Sequence, residues 1–563
     1  MDKKSAPDHA FQESVDAIAK ELQLPGLIAR ILVGRDINTA DKARIFLDPK
    51  LEDLSDPFLL PDAVKGAERI VSAIVKREKI CLYGDYDADG VTSLALMLNF
   101  LRHFGLEPIV YIPTRQEGYG LHVNAIKKVS ERNPTLLISL DCGSSNVSEV
   151  QYANDNGIQT IIIDHHELGE GMPSAYALIN PKRKDSHFPT RDLAACGVTF
   201  FVMLAVRRVL HNEGLLQKPI NLKRELDIVS IGTVGDMVSL TGDNRIMVKH
   251  GMDVMSRHSR PWLTAMQKSR VLTKKVMDEF GLSFIVVPRI NATGRVSDPE
   301  NSLKFLLSEN EAEAGYHLKT LEDANKHRRS VEERILREIV AELKNDHIDQ
   351  RKSIVVFNEK WHIGVLGIVA QKLSEMFKKP SIVITKLNGI WKGSGRGSSG
   401  IDLHGTITSL SPLLLKYGGH RYACGLSLQE ENLTRFADAF EELVGNSIAH
   451  DSEEMFCDAI AEFEDLTPEF MRYLGKLSPF GVGNPRPIIS LSPTAIEPLK
   501  YGRVRIKDGN NRNWYGYVRA DLHIPSCDNP FCAAAPMLKE EMGEQFIHLN
   551  IKDISKKPFP TKN

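Results

Sequence analysis

Four apolar runs in this chain each lead into acidic or histidine-bearing residues, and that pattern narrows its folds more than any other feature. They read ICLYGDYDADGVTS at 80–93, LLISLDCGSS at 136–145, TIIIDHHE at 160–167 and IGTVGDM at 231–237. Strand ends on a parallel sheet converge in space although they lie far apart in sequence. Asp85, Asp87, Asp89, Asp141, Asp164, His165, His166 and Asp236 are therefore expected to meet at one crevice. So many hard oxygen donors are not tolerated in a core without cations, which points to a metal-dependent hydrolase.

The first segment carries the most detail. Asp85, Asp87 and Asp89 alternate at the end of a strand, so extended backbone keeps them on one side. Gly90 allows tight backbone passage before VTSLALML opens a helix, whose first N–H groups favour a phosphate. Carboxylates mixed with imidazole suit Mn²⁺ or Mg²⁺ better than a closed structural zinc site. Two such ions about 4 Å apart would activate a water and neutralise a phosphoryl transition state. His165 is expected as a ligand, and His166 as a contact to the scissile phosphate. A lone GDxD or DHH is often a solvated turn. Four together are different, because converging carboxylates repel and raise one another's pKa at about 1.4 kcal/mol per unit.

The remaining composition bounds the class. A chain of 563 residues predicts three or four domains, and 42% apolar with 26% charged residues is ordinary for a soluble protein. A formal charge of −2 neither announces nor excludes nucleic acid, since a groove needs only a local field. No run approaches 18 apolar residues and the N-terminus lacks a secretion signal's apolar core, so no membrane span is expected. Seven cysteines, none spaced CxxC, fit a reduced cytoplasm.

From 78 to about 250 apolar strands alternate with helical stretches, predicting a mostly parallel α/β sheet. FIVVPRINATGR at 284–295 reads as a strand running into a polar turn, with Arg289 and Arg295 placed to grip phosphates, or else fixed by a core carboxylate. Residues 301–346 predict one long helix or two in sequence. A second α/β unit begins near 352. Its GSGRGSSG and YGGHRYACG stretches read as loops in which Ser394, Arg396, Gly419 and His420 form an anion nest, although glycine-rich loops are also common for structural reasons. Tyr111, Arg115 and Tyr119 offer rings and charge for stacking bases near a strand end. Beyond 456, short β-like runs suggest a small barrel or sandwich. Arg503, Arg505, Trp514 and Tyr515 there alternate charge with rings, as a single-strand track needs or as a barrel core with a solvated face would show.

These motifs resemble the DHH phosphoesterase superfamily, and within it the RecJ-type single-strand-specific exonucleases. GDYDADG, LDCGSS, DHHE and GTVGDM resemble the four phosphoesterase motifs; RINATGR, GSGRG and GGHRYACG resemble later motifs of the same enzymes. The resemblance implies processive 5′-to-3′ hydrolysis of single-stranded DNA to 5′-mononucleotides with two divalent cations, Mn²⁺ or Mg²⁺. By position, Asp89, Asp141, His165 and Asp236 match the ligands of one ion. Asp87 and the bridging Asp141 match those of a second, with Asp85 assisting, and His166 matches the catalytic histidine. Tyr83 departs from members with a histidine ligand there, which implies a second ion that is weakly held or that binds fully only when a substrate phosphate adds an oxygen.

The implied architecture is a helical segment at 1–75, a DHH catalytic domain at 76–300 and connecting helices at 301–348. A DHHA1-type DNA-binding domain at 349–455, which holds the 5′ end, and an OB-type β-barrel at 456–563 complete it. The implied setting is cytoplasmic recombination and repair by a monomer, with a RecQ-type helicase and single-strand-binding protein as partners. The alternatives are a phosphoesterase for short oligonucleotides, cyclic dinucleotides or polyphosphate, and a non-catalytic DNA-binding scaffold.

Overall fold

The fold was analysed in a computed structural model. It describes residues 6–561 except 170, 217, 259, 273–276, 345–347, 399, 448–454, 520, 521, 523, 525–528, 542 and 543. The first sheet is parallel throughout, built from β1 (Ile80–Gly84), β2 (Ile109–Tyr111), β3 (Leu136–Leu140), β4 (Gln159–Ile163) and β5 (Ala177–Ile179) in the order β2-β1-β3-β4-β5. β1 and β3 are buried at every residue, which is why their sequences are continuous apolar runs. The register does the positioning. Gly84 pairs with Leu140 and Leu140 with Ile163, so Asp85, Asp141 and Asp164 leave three neighbouring strands side by side.

The fourth segment departs from the strand-end expectation. Residues Leu226–Gly235 form a helix, and Asp236 is its C-cap. Every residue from Leu226 to Val234 is buried, so β-branched composition here marks an enclosed helix and not a strand. Gly232 permits the close packing: a Cβ would lie 2.2 Å from Thr92 Oγ1 and 2.6 Å from Cys196 Sγ.

The FIVVPRINATGR stretch is likewise helical, a π-turn at Leu282–Val286 running into a helix at Val287–Val296. The strand-then-turn expectation fails because Leu282, Val286 and Ile290, four residues apart, bury one helical face. Pro288, which lacks an N–H, sits in the first turn of the second helix, just past the π-turn.

Two helices follow, Glu300–Leu307 and the 34-residue Glu311–Lys344. The latter is part of the second unit's core, since Val331, Ile335, Ile339 and Leu343 pack with Val365, Val369 and Leu373. That unit's mixed sheet contains β6 (Ile354–Phe357), β7 (Ser381–Leu387), β8 (Ile390–Arg396), β9 (Lys416–His420) and β10 (Ala423–Leu428), ordered β6-β7-β8-β10-β9. Helices Leu403–Ser409 and Leu433–Ser447 close its other face around Phe436 and Phe440.

The C-terminal sheet has seven strands: β11 (Ala459–Ile460), β12 (Ile489–Leu491), β13 (Ala495–Pro498), β14 (Arg503–Lys507), β15 (Asn513–Val518), β16 (Phe531–Glu541) and β17 (Glu544–Ser555). Their order is β11-β12-β16-β17-β15-β14-β13, and among the described residues no pairing joins β11 to β13, so the sheet is open. The N-terminal helices complete its core: Ile18, Ile28, Ile31 and Leu32 pack with Phe470, Leu474, Val504, Ile506 and Leu549. Helix Ala63–Lys76 instead covers the first sheet, with Gly66 against Ile179. The six described cysteines are buried, and Cys527 lies outside the described residues. Among the described residues no helix is long and apolar enough to cross a membrane.

Candidate metal centre and the cleft beside it

Each acidic segment delivers its side chain by a different local device. Asp85 follows β1. Asp87 caps helix Ala88–His103, accepting from the amides of Asp89 (2.9 Å) and Gly90 (3.1 Å). Gly90 is required where the chain turns back, since a Cβ there would lie 2.5 Å from the Asp85 carbonyl oxygen. Asp89 is anchored by the amides of Ala195 (2.6 Å) and Cys196 (2.8 Å). Asp141 has a left-handed backbone (φ 64°) while its amide still donates to the Ile163 carbonyl at 3.0 Å. A non-glycine residue held there is backbone strain of the kind functional sites retain.

The side chains converge. His165 Nε2 lies 3.3 Å from Asp141 Oδ1, 3.5 Å from Asp236 Oδ2 and 3.8 Å from Asp89 Oδ2. Three donor sets each fall within 4.8 Å: Asp89, His165 and Asp236; Asp85, Asp87 and Asp141; and Asp141, His165 and His166. Asp85 Oδ1, Asp141 Oδ1 and His165 Nε2 are buried without a hydrogen-bond partner. Such atoms are costly unless something outside the chain satisfies them, and a divalent cation does so for carboxylates and a neutral imidazole together.

The electrostatics agree. Burial, then the charges of Asp89, Asp87 and Asp85, drives the Asp141 carboxyl well above its ordinary range. Asp85 rises likewise through burial and Asp87. Asp236 is pushed up to about 9 by burial, then by Asp89 and Asp87, and Asp89 to about 6 by burial and Asp87. Burial and the neighbouring His166 lower His165 to about 3, leaving it neutral with a nitrogen lone pair to share.

His166 is held in the opposite state. Burial pulls it down, but the hydrogen bond and charge of Asp164 outweigh that and raise it to about 9. Its Nδ1 lies 2.8 Å from Asp164 Oδ1 and 2.9 Å from the Tyr119 hydroxyl, and 39% of its side chain remains open to solvent. Asp164 also accepts from the amides of Ser144 (2.9 Å), His165 (2.7 Å) and His166 (3.2 Å). Burial pushes that carboxyl up, yet its hydrogen bond to His166 and the charge of that imidazolium hold it well below the carboxylate range.

Sequence reasoning placed Asp164 in the crevice but gave it no task; its position before the histidine pair was the signal. Asn180, donating to the His166 carbonyl and Ser144 Oγ (both 2.9 Å), had no signal at all. Tyr83 stands apart from the donor sets: its hydroxyl donates to the Gly120 carbonyl (3.0 Å) and its ring stacks on Tyr111.

A cavity of about 270 Å³ between the first and second α/β units is lined by Arg115, Arg295, Ser297 and His362. Arg115 stacks on Tyr86 (4.6 Å) and leaves its buried Nε without a partner. Arg295 donates to the Gly364 carbonyl (3.0 Å), and burial with Arg115 nearby lowers it to about 9. Ser394 and Arg396 lie by the start of helix Leu366–Phe377, each within 3.0 Å of a Cβ built on Gly367. The loop expectation for these residues fails: Ser394 and Arg396 lie on β8, Gly419 and His420 on β9, with β10 between. Their glycines permit strand packing, since a Cβ on Gly419 would sit 2.2 Å from the Ala423 carbonyl. Arg289 is not brought to this cleft; it pairs with Glu322 of the long helix and donates to the Ile285 carbonyl (2.7 Å). Tyr111 donates to Glu117 (2.8 Å). On the C-terminal sheet Arg505 pairs with Glu497 (3.2 Å), Trp514 donates to Asp508 (3.1 Å), and Arg503 and Tyr515 line a groove with Phe546.

Residues 79–233 match the DHH family N-terminal domain and residues 350–446 the DHHA1 domain. The chain is 33% identical over 497 residues to the single-stranded-DNA-specific exonuclease RecJ of Bacillus subtilis, covering 87% of this chain and 61% of that protein. It is 31% identical over 484 residues to the Escherichia coli protein of the same description, covering 83% of each. In fold it is similar to Thermus thermophilus RecJ solved with Mn²⁺, with a TM-score of 0.82, 24% identity and 98% of this chain and 79% of that chain covered. With both domains in sequence and the two histidines of the third motif at the donor cluster, the chain belongs to the RecJ family of DHH phosphoesterases.

Proposed function

We propose that this protein is a metal-dependent exonuclease that hydrolyses single-stranded DNA from its 5′ end to 5′-mononucleotides, acting in recombination and repair. The observation that carries the reading is the convergence of buried Asp85, Asp89, Asp141 and His165 with half-buried Asp236, several donor atoms being left unpaired. Asp89, Asp141, His165 and Asp236 would hold one divalent cation, Mn²⁺ or Mg²⁺, and Asp85, Asp87 and Asp141 a second. Bound there, the pair supplies Lewis acidity to the phosphodiester and lowers the pKa of the attacking water.

The chain's own residues do the rest. His166, cationic through Asp164, faces the non-bridging phosphate oxygens and offsets charge that grows in the transition state. Arg115 and Arg295 draw the strand's phosphates into the interdomain cavity, and Ser394, Arg396, Gly419 and His420 hold the terminal phosphate, which sets polarity. Tyr119 orients His166 as well as meeting bases. The C-terminal sheet serves as an OB-like track for the incoming strand, with Arg503, Arg505, Trp514 and Tyr515 on it. The protein works as a cytoplasmic monomer on strands that a RecQ-type helicase opens and single-strand-binding protein coats.

Digestion of a single-stranded 40-mer labelled at either end, in EDTA, Mg²⁺ or Mn²⁺, tests this beside its blunt duplex. Metal-dependent release of mononucleotides from the 5′ end with the duplex spared is the expected result. Binding without cleavage in either metal would refute it.

A further inference from the structure

The segment before the RINATGR helix exposes a pair of aromatic rings that neither the metal centre nor the phosphate cleft uses. Phe280 and Phe284 are 57% and 67% exposed, and their rings stack 4.7 Å apart with planes 29° from parallel. The opposite face of this segment is firmly seated, with Leu282, Val286 and Ile290 fully buried. The rings are therefore held outward on a rigid base.

Their location gives the pair a role. Val287, about one turn beyond Phe284, packs against Gly235, the residue before Asp236. Met237, just after Asp236, is 71% exposed with a left-handed backbone (φ 61°). On the other side Glu279 accepts from Ser478 Oγ (2.9 Å) and from Arg486 (3.2 Å), while Leu240 donates its amide to the Val482 carbonyl (2.8 Å). The ring pair thus sits where the metal-ligand helix, the RINATGR helix and the C-terminal unit meet.

We infer that Phe280 and Phe284 form a stacking platform for a nucleobase of the strand on its way from the C-terminal sheet to the metal centre. The inference rests on the exonuclease reading above and deepens it. An aromatic face accepts any base, because every base has a π-surface, so the platform grips the polymer without selecting its sequence. It is a positioning element: it registers the strand and touches no reacting atom.

The test uses single-stranded 40-mers carrying one abasic nucleotide at successive positions from the 5′ end, digested by the full chain with Mn²⁺. Wild-type protein should show a position at which the missing base raises KM by roughly tenfold. In Phe280→Ala/Phe284→Ala that penalty should collapse toward one, because the intact strand has lost the same contact. Phe284→Trp should keep the penalty and Phe284→Leu should lose most of it, which separates stacking from apolarity and from misfolding. A flat abasic profile in cleaving wild-type protein overturns the platform, as does a full penalty in the double variant. So does a dimer that the double substitution dissociates, since the rings would then face a second copy. Wild-type protein that cleaves none of the 40-mers would instead overturn the exonuclease reading itself.

Discussion

The metal crevice and the outer face of the C-terminal sheet are both dense in charge, but only in the crevice do the clustered carboxylates lack cations of the chain's own to pair with. In the crevice the carboxylates share one sign, are buried or half-buried, and with His165 leave Asp85 Oδ1, Asp141 Oδ1 and His165 Nε2 unpaired. On the sheet opposite charges meet: Arg505 and Lys507 pair with Glu497 (3.2 and 2.8 Å), and Arg512 with Asp508 (2.7 Å) and Glu464. A buried cluster of one sign demands a partner from outside the chain, whereas a paired exposed one is satisfied without any. The strongest way to break this contrast is Asp141→Ala, which removes a carboxylate common to two of the three sets. Cleavage should fall by on the order of 10³-fold or more, as when a preorganised electrostatic group is lost. Filter binding to single-stranded DNA should persist, and near-wild-type cleavage would refute the assignment.

Next in size is Asp164→Asn, which leaves the donor sets whole and removes the carboxylate that holds His166 charged. A loss of roughly 10²-fold is expected, the low end for a positioned proton-carrying group. The alkaline limb of the rate profile should also move to lower pH, since His166 would lose the partner that raises it to about 9. An unmoved limb would show that the imidazolium form is not the active one.

A third effect is on stability. In metal-free protein Asp236 and His166 each titrate near 9, above their unfolded values, so between about pH 7 and 9 the folded chain holds protons that the unfolded chain has released. Asp89 and His165, whose folded values are about 6 and 3, contribute little to that window. Stability from these groups is present at low pH and lost as pH rises, so the metal-free Tm should drop by on the order of a few degrees across it. Added Mn²⁺ should restore the Tm most at the alkaline end. A metal-free Tm that climbs from pH 7 to 9 would contradict the raised carboxyl.

The same contrast explains what the sequence disclosed. Asp85, Asp141 and Asp164 were legible because an aligned parallel register forces residues that follow apolar runs into one line. Asp236 was legible as a donor and misplaced as a strand end, because a helix buried all round has a strand's composition. The FIVV run misled for a related reason: its four-residue burial period shows only when Leu282 and Ile290 are counted with it. Arg289 and Arg295 look equivalent in RINATGR, yet one faces Glu322 and the other the interdomain cavity. Which carboxylate a guanidinium meets depends on the 34-residue helix that follows, and local spacing carries no trace of that. The partnership of the first helices with the C-terminal sheet is equally long-range.

The smallest expected effect is the sharpest probe of the sheet. Because Arg505 shares the Glu497 carboxylate with Lys507, Arg505→Ala should weaken single-strand binding by no more than about threefold, the scale of one screened surface charge. Glu497→Gln should do the reverse. It frees two cations on β14, directly across from Tyr515 and Asn513 of β15, so affinity at low salt should rise about two- to threefold. The slope of log affinity against log salt should steepen at the same time, because each newly available phosphate contact releases counterions. An unchanged slope would mean that this face carries no DNA and that its alternating charge and rings serve only to solvate a sheet. The Phe280–Phe284 pair and the interdomain arginines would then be left to guide the strand alone.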